Sequence, residues 1–280
     1  GVAEHAVAVK PLAAIRTIGE RLDALARRGG GVVVVVGGGM AGVELALAIR
    51  TRANGVASRG LPAGTLEGTP RGQSVRVSLV SRDTVLASDR HPRVSRRLER
   101  VCEARGIELR LATTPVQLDA GRITLQHAGE QQRRRADLVV WATGGEAAPW
   151  LAASGLPVDA RGFLLVDDRL QSVGDPRVFA AGDSASLASW PDTPKAGVYA
   201  VRMGPRLVLA LAHALGDGAR PDAYRPQQRF LALANAGDGT ALASWGGLVA
   251  QGRWAMRWKD WLDRRFMRRF APPDGVRHSP

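Results

Sequence analysis

The five consecutive β-branched residues Val32 to Val36 carry the strongest element signal in the chain. A run without polar alternation is what a strand needs when both faces of a parallel sheet are covered. Upstream, Ala6 to Val9 reads as a short strand. Leu12, Ile15, Ile18, Leu22 and Leu25 then recur at three- and four-residue spacing after the Pro11 start signal, predicting a helix that ends at Gly29 to Gly31. A second helix is predicted from about Ala41 to Arg52, and the Gly-, Pro-, Ser- and Arg-rich stretch from Thr51 to Ser74 reads as an exposed, inserted loop. Val75 to Val80 is the next strand, and Val94 to Arg105 an amphipathic helix. Short strands follow at Ile107 to Leu111, Pro115 to Leu118 and Ile123 to His127, the last pair turning at Asp119 to Gly121. The arginines Arg133 to Arg135 read as a solvated strand edge before the apolar strand Leu138 to Ala142.

Further strands are expected at Phe163 to Val166 and Val178 to Ala181, then a long helix from Ala196 to Leu215. Phe230 to Ala234 and Ala241 to Trp245 read as a hairpin across Gly237, Asp238 and Gly239, with a third strand near Leu248 to Gln251. A basic helix from Trp254 to Phe270 closes the pattern. Strands alternating with helices make this an α/β chain with a parallel sheet.

Composition narrows the chemistry. A chain of 280 residues with 45% hydrophobic residues buries a sizeable core, so disorder is not its dominant state. The lone Cys102 excludes an intrachain disulfide, a dithiol pair and a thiolate zinc cluster, and points to a reducing, cytoplasmic compartment. On a helix beside Val101 with no partner, it reads as a buried structural thiol. His5, His91, His127, His213 and His278 are dispersed without ligand spacing, so no metal is expected. The net charge of +13 comes from arginines scattered along the chain, which reads as solvated faces and does not call for nucleic acid. No apolar run approaches the roughly eighteen residues of a spanning helix. The chain opens on Gly1 without a signal-peptide pattern and is expected to start inside a longer protein.

The chemistry sits behind the valine strand, where Gly37-Gly38-Gly39-Met40-Ala41-Gly42-Val43-Glu44 is G-x-G-x-x-G between a strand and a helix. Gly37 permits the tight turn, Gly39 lets backbone approach a pyrophosphate, and Gly42 lets helix and strand pack closely. The helix start then offers free N–H groups and the positive end of its dipole. At the end of the second strand, the acid that would bond a ribose 2′-hydroxyl is replaced by Ser81. The neighbouring Arg82 suits a 2′-phosphate, so NADH and NADPH both stay open.

Three motifs in order, Gly37 to Glu44, Trp141-Ala142-Thr143-Gly144 and Val178-Phe179-Ala180-Ala181-Gly182-Asp183, resemble the pyridine nucleotide-disulfide oxidoreductase superfamily and its type II NADH dehydrogenase branch. The resemblance implies a Rossmann-like flavoprotein with two dinucleotide-binding domains, the NAD(P) domain inserted in the FAD domain. It implies FAD and NAD(P)H as cofactors, with hydride passing from nicotinamide to the flavin N5 and electrons then to an acceptor, quinone among the candidates. It places Asp183 on the ribityl chain of FAD, Gly182 at a close approach, Thr143 and Gly144 at the cofactor, and Glu44 near the nicotinamide. Pro194-Lys195-Ala196-Gly197, Tyr224-Arg225-Pro226-Gln227 and the tail from Gly252 are similar to a subgroup found fused to, or beside, selenide, water dikinase. There Lys195, Ala196 and Gly197 open a helix aimed at the flavin pyrimidine ring.

The organisation implied is a connecting segment from the FAD domain at 1–30, the NAD(P) domain at 31–145, and the C-terminal part of the FAD domain at 146–225. A hairpin with a basic helix follows at 226–270, and a tail or linker at 271–280. The family's first G-x-G-x-x-G, for the ADP part of FAD, has no counterpart here, so the N-terminal FAD half is expected to lie outside this chain. Paired cysteines are also absent, which argues against disulfide chemistry. In the tail, Trp254, Trp258, Leu262, Phe266 and Phe270 recur every four residues, and seven Lys or Arg stand against Asp260 and Asp263 between residues 253 and 269. Such a helix packs on the protein, docks a partner, or lies as a peripheral contact on the inner face of an anionic membrane. The alternative to an enzyme is a non-catalytic nucleotide-binding module that partners selenide, water dikinase.

Overall fold

The computed structural model describes residues 1–10, 14–59 and 75–270. In chain order the first elements are α1 (Val2–His5), β1 (Ala6–Ala8), α2 (Ala14–Arg27), β2 (Gly31–Val36), α3 (Met40–Arg59), β3 (Val75–Val80), α4 (Pro92–Ala104) and β4 (Ile107–Arg110). Three strands, β5 (Thr113–Asp119), β6 (Arg122–His127) and β7 (Glu130–Arg135), form an antiparallel meander before β8 (Leu138–Trp141) returns to the first sheet. Then come α5 (Pro149–Ala153), β9 (Leu164–Val166), β10 (Ala185–Leu187) and α6 (Gly197–Ala214). The chain closes with β11 (Leu231–Asn235), β12 (Ala241–Trp245), β13 (Leu248–Gly252) and α7 (Arg253–Met267).

The chain divides into two units, residues 144–230 and the remainder. In the larger unit a five-stranded parallel sheet runs in the order β1-β8-β2-β3-β4, with β2 central. Strand alternation splits its side chains between two layers. Val33, Val35, Val77 and Leu79 pack against Leu22 of α2, Val43 and Leu47 of α3, and Leu98 and Cys102 of α4. Val34, Val36, Val80 and Val139 face the meander through Leu118, Ile123 and Leu125. This double cover is why the valine run carries no polar position. The antiparallel β11-β12-β13 sheet belongs to the same unit, and its Ala234 and Leu242 join the helical layer of the core.

The smaller unit has a core of its own. Leu151, Leu164, Val166, Leu170, Leu187, Tyr199 and Met203 cluster around the parallel pair β9 and β10 and the inner face of α6.

Several expectations are corrected. The helix after the glycine turn does not end at Arg52 but runs to Arg59, because tertiary contacts hold its polar end. Ala53 is buried, Arg50 donates to the carbonyls of Arg105 and Val75, and Arg52 pairs with Asp23 at 2.8 Å. The rest of the expected inserted loop, 60–74, and Leu12 lie outside the described residues. Ile15, placed on the buried face of α2 by its spacing, is 45% exposed. Val178 to Ala181 forms no strand; only Phe179 bridges, to Gln171, because the segment makes the bend that enters the turn at Gly182. The triple arginine sits on the meander's edge strand β7, with Arg133 and Arg135 exposed and Arg134 half-buried.

Helix α7 seats only part of the stripe that its periodicity indicates, Leu262 and Phe266 being half-buried. Ala255 is its one buried residue among those described, set against the small residues Ala241 and Ala243 of β12, while Trp254 and Trp258 point outward at 52% and 41% exposure. A sheet surface built of alanines accepts a small residue at close approach and leaves no room for indoles.

Candidate dinucleotide site

The glycine turn joins the carboxyl end of the central strand β2 to α3, and ligands of such folds bind outside the carboxyl ends of the strands. Its four glycines have different reasons for being glycine. Gly37 has φ +129°, and a Cβ there would lie 2.7 Å from the carbonyl carbon of Ala142, just past β8. A Cβ on Gly42 would run into the carbonyl of Gly37. At Gly38, which is buried, it would come within 2.6 Å of the Ser81 Cβ. Gly39 is exposed, with φ outside the left-handed region and no atom within 4 Å of a Cβ placed on it. The protein's own packing therefore explains Gly37, Gly38 and Gly42 and leaves Gly39 facing open space, as a position that admits a bulky anion requires.

Gly39 also starts the helix. Its carbonyl accepts the Val43 N–H at 3.1 Å, so Met40, Ala41 and Gly42 form the first turn of α3, where N–H groups have no intrahelical acceptor and the dipole is positive. Thr143 and Gly144 follow β8 and are exposed, and Gly144 likewise has nothing within 4 Å of a built Cβ.

Ser81 and Arg82 separate in role. Ser81 is buried beneath Gly38, and its hydroxyl accepts the Asp83 N–H at 3.2 Å. The segment beyond it is pinned over the turn by the Ala87 N–H, which donates to the Gly38 carbonyl at 2.8 Å. Arg82 projects into solvent, 85% exposed, with only a loose 3.7 Å contact to Asp83.

Glu44 lies on α3 one turn past Gly39, partly buried. Its carboxylate accepts the Asn235 backbone N–H at 2.8 Å, and burial raises its pKa above the ordinary carboxylate value against the lowering effects of that bond and of Lys259. No local signal in the sequence could have paired Glu44 with a strand some 190 residues away.

In the smaller unit the structure brings Gly182, Lys195 and Ala196 to one narrow cleft, with Ala200 and Met203 behind them. Gly182 has φ +67°, and a Cβ there would meet the Ala200 Cβ at 3.1 Å; its N–H points to the Met203 sulfur at 3.1 Å. Asp183 is exposed on the 3₁₀ turn Gly182–Ser184. Lys195 is partly buried, its Nζ bonded to the Ala185 carbonyl and 4.5 Å above the Phe163 ring, and burial lowers its pKa. Gly197 opens α6 with no side-chain cap from Ala196 and nothing within 4 Å of a built Cβ, so this helix start too is free to meet an anionic group. Each unit thus presents an open glycine at a helix start, Gly39 at α3 and Gly197 at α6, where a pyrophosphate or a flavin ring could be accommodated.

Cys102 is fully buried, and burial with the nearby Glu103 and Glu99 pushes its thiol up to about 12, which leaves it inert. His91 caps α4, its Nδ1 accepting the Arg93 N–H at 3.2 Å.

A family model described as pyridine nucleotide-disulphide oxidoreductase matches residues 9–204. An NADH dehydrogenase-like protein of Mycobacterium tuberculosis is 30% identical over 148 residues, which cover 53% of this chain and 34% of that protein. A demethylphylloquinone reductase of Synechocystis is 30% identical over 146 residues, covering 51% and 36%. The chain thus matches about a third of the length of each of these relatives. Among solved structures, NDH2 of Plasmodium falciparum in complex with NADH superposes with a TM-score of 0.73 at 13% identity, over 95% of this chain and 70% of that one. That likeness establishes the fold.

Proposed function

Since the chain belongs to the pyridine nucleotide-disulphide oxidoreductase family, we propose that it is the nicotinamide-binding part, and a portion of the flavin-binding part, of an FAD-dependent NAD(P)H oxidoreductase. The observation that carries this reading is Gly39, the one glycine of the turn that no protein atom crowds, at the start of α3. The α3 start holds the pyrophosphate of the dinucleotide through backbone N–H groups. Bound FAD would supply the hydride-accepting chemistry, and this chain's residues supply its binding. Gly182 allows close approach, Asp183 offers acceptors to the ribityl hydroxyls, and the start of α6 at Gly197 favours negative charge on the flavin ring.

The electron acceptor is proposed to be a quinone, the class named for the Synechocystis relative. Among the described residues no helix is long and apolar enough to cross a membrane. The exposed Trp254, Trp258 and Trp261 of α7, set among Arg253, Arg257, Arg264 and Arg265, support a peripheral contact with an anionic surface. The remaining flavin contacts are assigned to an N-terminal half outside this chain. In keeping with that, α6 and its C-cap Leu215 expose an apolar stripe with Val201, Val208 and Leu211.

The test is an anaerobic titration. NADH or NADPH binds this chain, and bleaches the flavin absorbance of the protein that also carries the first flavin-binding half. Nucleotide binding with no bleaching would leave the alternative, a silent module serving selenide, water dikinase; no nucleotide binding would overturn both.

A further inference from the structure

Between the central sheet and the meander lies a cavity of about 330 Å³ that the glycine turn does not touch. Strand alternation builds it. Even-numbered residues of β2, β3 and β4 face the meander, so Val32 and Val34, Arg76 and Ser78, and Glu108 and Arg110 line one side. Ile123 and Leu125 of β6 with Arg134 and Arg135 of β7 line the other. The floor is apolar, Val34, Ile123 and Leu125 each being at most 4% exposed, and the rim is cationic.

The charges at this rim are unbalanced. Arg135 is held by Asp137 at 2.9 Å, while Arg110 and Arg134 share the single carboxylate of Glu108, Arg134 at 3.6 Å. Arg76 adds a fourth guanidinium from an exposed position on β3. Arg110 is the informative group. Its Nη2 serves Glu108, but its Nε is buried with no hydrogen-bond partner among the described residues. A buried charged N–H without an acceptor is costly, and it marks Arg110 as a guanidinium whose charge the protein leaves incompletely compensated.

We propose that this cleft binds an organic anion, its phosphate or carboxylate engaged by Arg110 and Arg76 and its apolar body resting on Val34, Ile123 and Leu125. The guanidinium fork matches the planar pair of oxygens such groups present. The apolar floor selects an organic anion over inorganic phosphate. None of the lining residues belongs to the dinucleotide turn, so the proposal stands apart from the oxidoreductase reading.

Calorimetric titration of the purified chain tests it, with phenyl phosphate and benzoate as probes and inorganic phosphate and phenol as controls. One of the two organic anions binds at a single site, more tightly than either control, and saturating NADH does not displace it. Which probe is tighter tells phosphate from carboxylate. Arg110→Gln weakens binding about tenfold, the loss expected for a charge-assisted hydrogen bond. Arg76→Gln, at an exposed position that leaves the fold intact, weakens it in the same direction and carries the test if Arg110→Gln misfolds by circular dichroism. The proposal is overturned if neither organic anion binds, if inorganic phosphate binds as well, if NADH competes, or if binding is unchanged in the folded variants.

Discussion

The Glu44 carboxylate and the Asn235 backbone N–H, 2.8 Å apart, tie the helix that follows the glycine turn to the first strand of the C-terminal sheet. Thr51 of the same helix donates to the Gly237 carbonyl at 2.8 Å, and Arg105 pairs with Asp238. The sheet that carries the basic helix is therefore fastened to the helical layer of the parallel sheet by polar contacts on α3 and just past α4, in addition to the apolar contacts of Ala234 and Leu242.

This bond makes Glu44 a stability determinant with a pH signature. Glu44→Ala strands the Asn235 N–H and costs about 1–3 kcal/mol in chemical denaturation. Glu44→Gln keeps an acceptor oxygen and loses less. Because burial raises the folded pKa above the ordinary 4.5, the native state holds the proton more tightly than the unfolded chain. The group's contribution is full below 4.5 and declines as pH rises through the folded pKa, so the stability of the parent relative to Glu44→Gln falls over that window. A pH-independent difference between the two would remove the assignment.

Neighbouring glycines of the turn respond in opposite ways. Gly38→Ala drives a methyl into Ser81 and destabilises the fold by about 1–3 kcal/mol. Gly39→Val faces open space and shifts stability by no more than about 0.5 kcal/mol. The same variant blocks the pyrophosphate and weakens NADH binding about tenfold or more, read by nicotinamide fluorescence. Retained affinity in Gly39→Val would show the turn to be structural only.

Asp183→Ala, at an exposed position on a short turn, leaves the fold unchanged. Under the proposed function, the variant lowers the flavin content of the FAD-loaded protein, measured as the flavin-to-protein absorbance ratio. An unchanged ratio rules out its role on the ribityl chain.

Helix α7 binds anionic vesicles with a blue shift of tryptophan emission. Its five basic residues, with Arg268 and Arg269 just past its end, each contribute about 1 kcal/mol near such a surface, so neutral vesicles bind more weakly and added salt releases the chain. The double variant Trp254→Ser and Trp258→Ser loses the shift. Equal binding to neutral and anionic vesicles would count against an electrostatic contact.

Much of the fold was legible from local pattern. The valine run, the glycine spacing behind it and the hairpin glycines at 237 and 239 are dictated by backbone sterics and by burial on two faces, and these act within a few residues. The same locality made the inertness of Cys102 readable, since helical spacing sets it among apolar neighbours. Tertiary contacts decided the rest. The final turns of α3 are polar and aperiodic, and they are helical because Arg50, Thr51, Arg52 and Ala53 find partners on other elements. The face of α7 that packs was settled by the alanine surface of β12, which admits Ala255 and turns the indoles outward. Which glycine of the turn is free for a ligand depends on where Ser81 and Ala142 come to rest, and the Glu44–Asn235 bond and the four-arginine cleft join segments far apart in the chain. A residue's identity sets what it can do, but contacts between distant segments exist only once the chain has closed on itself, and no periodicity in the sequence encodes them.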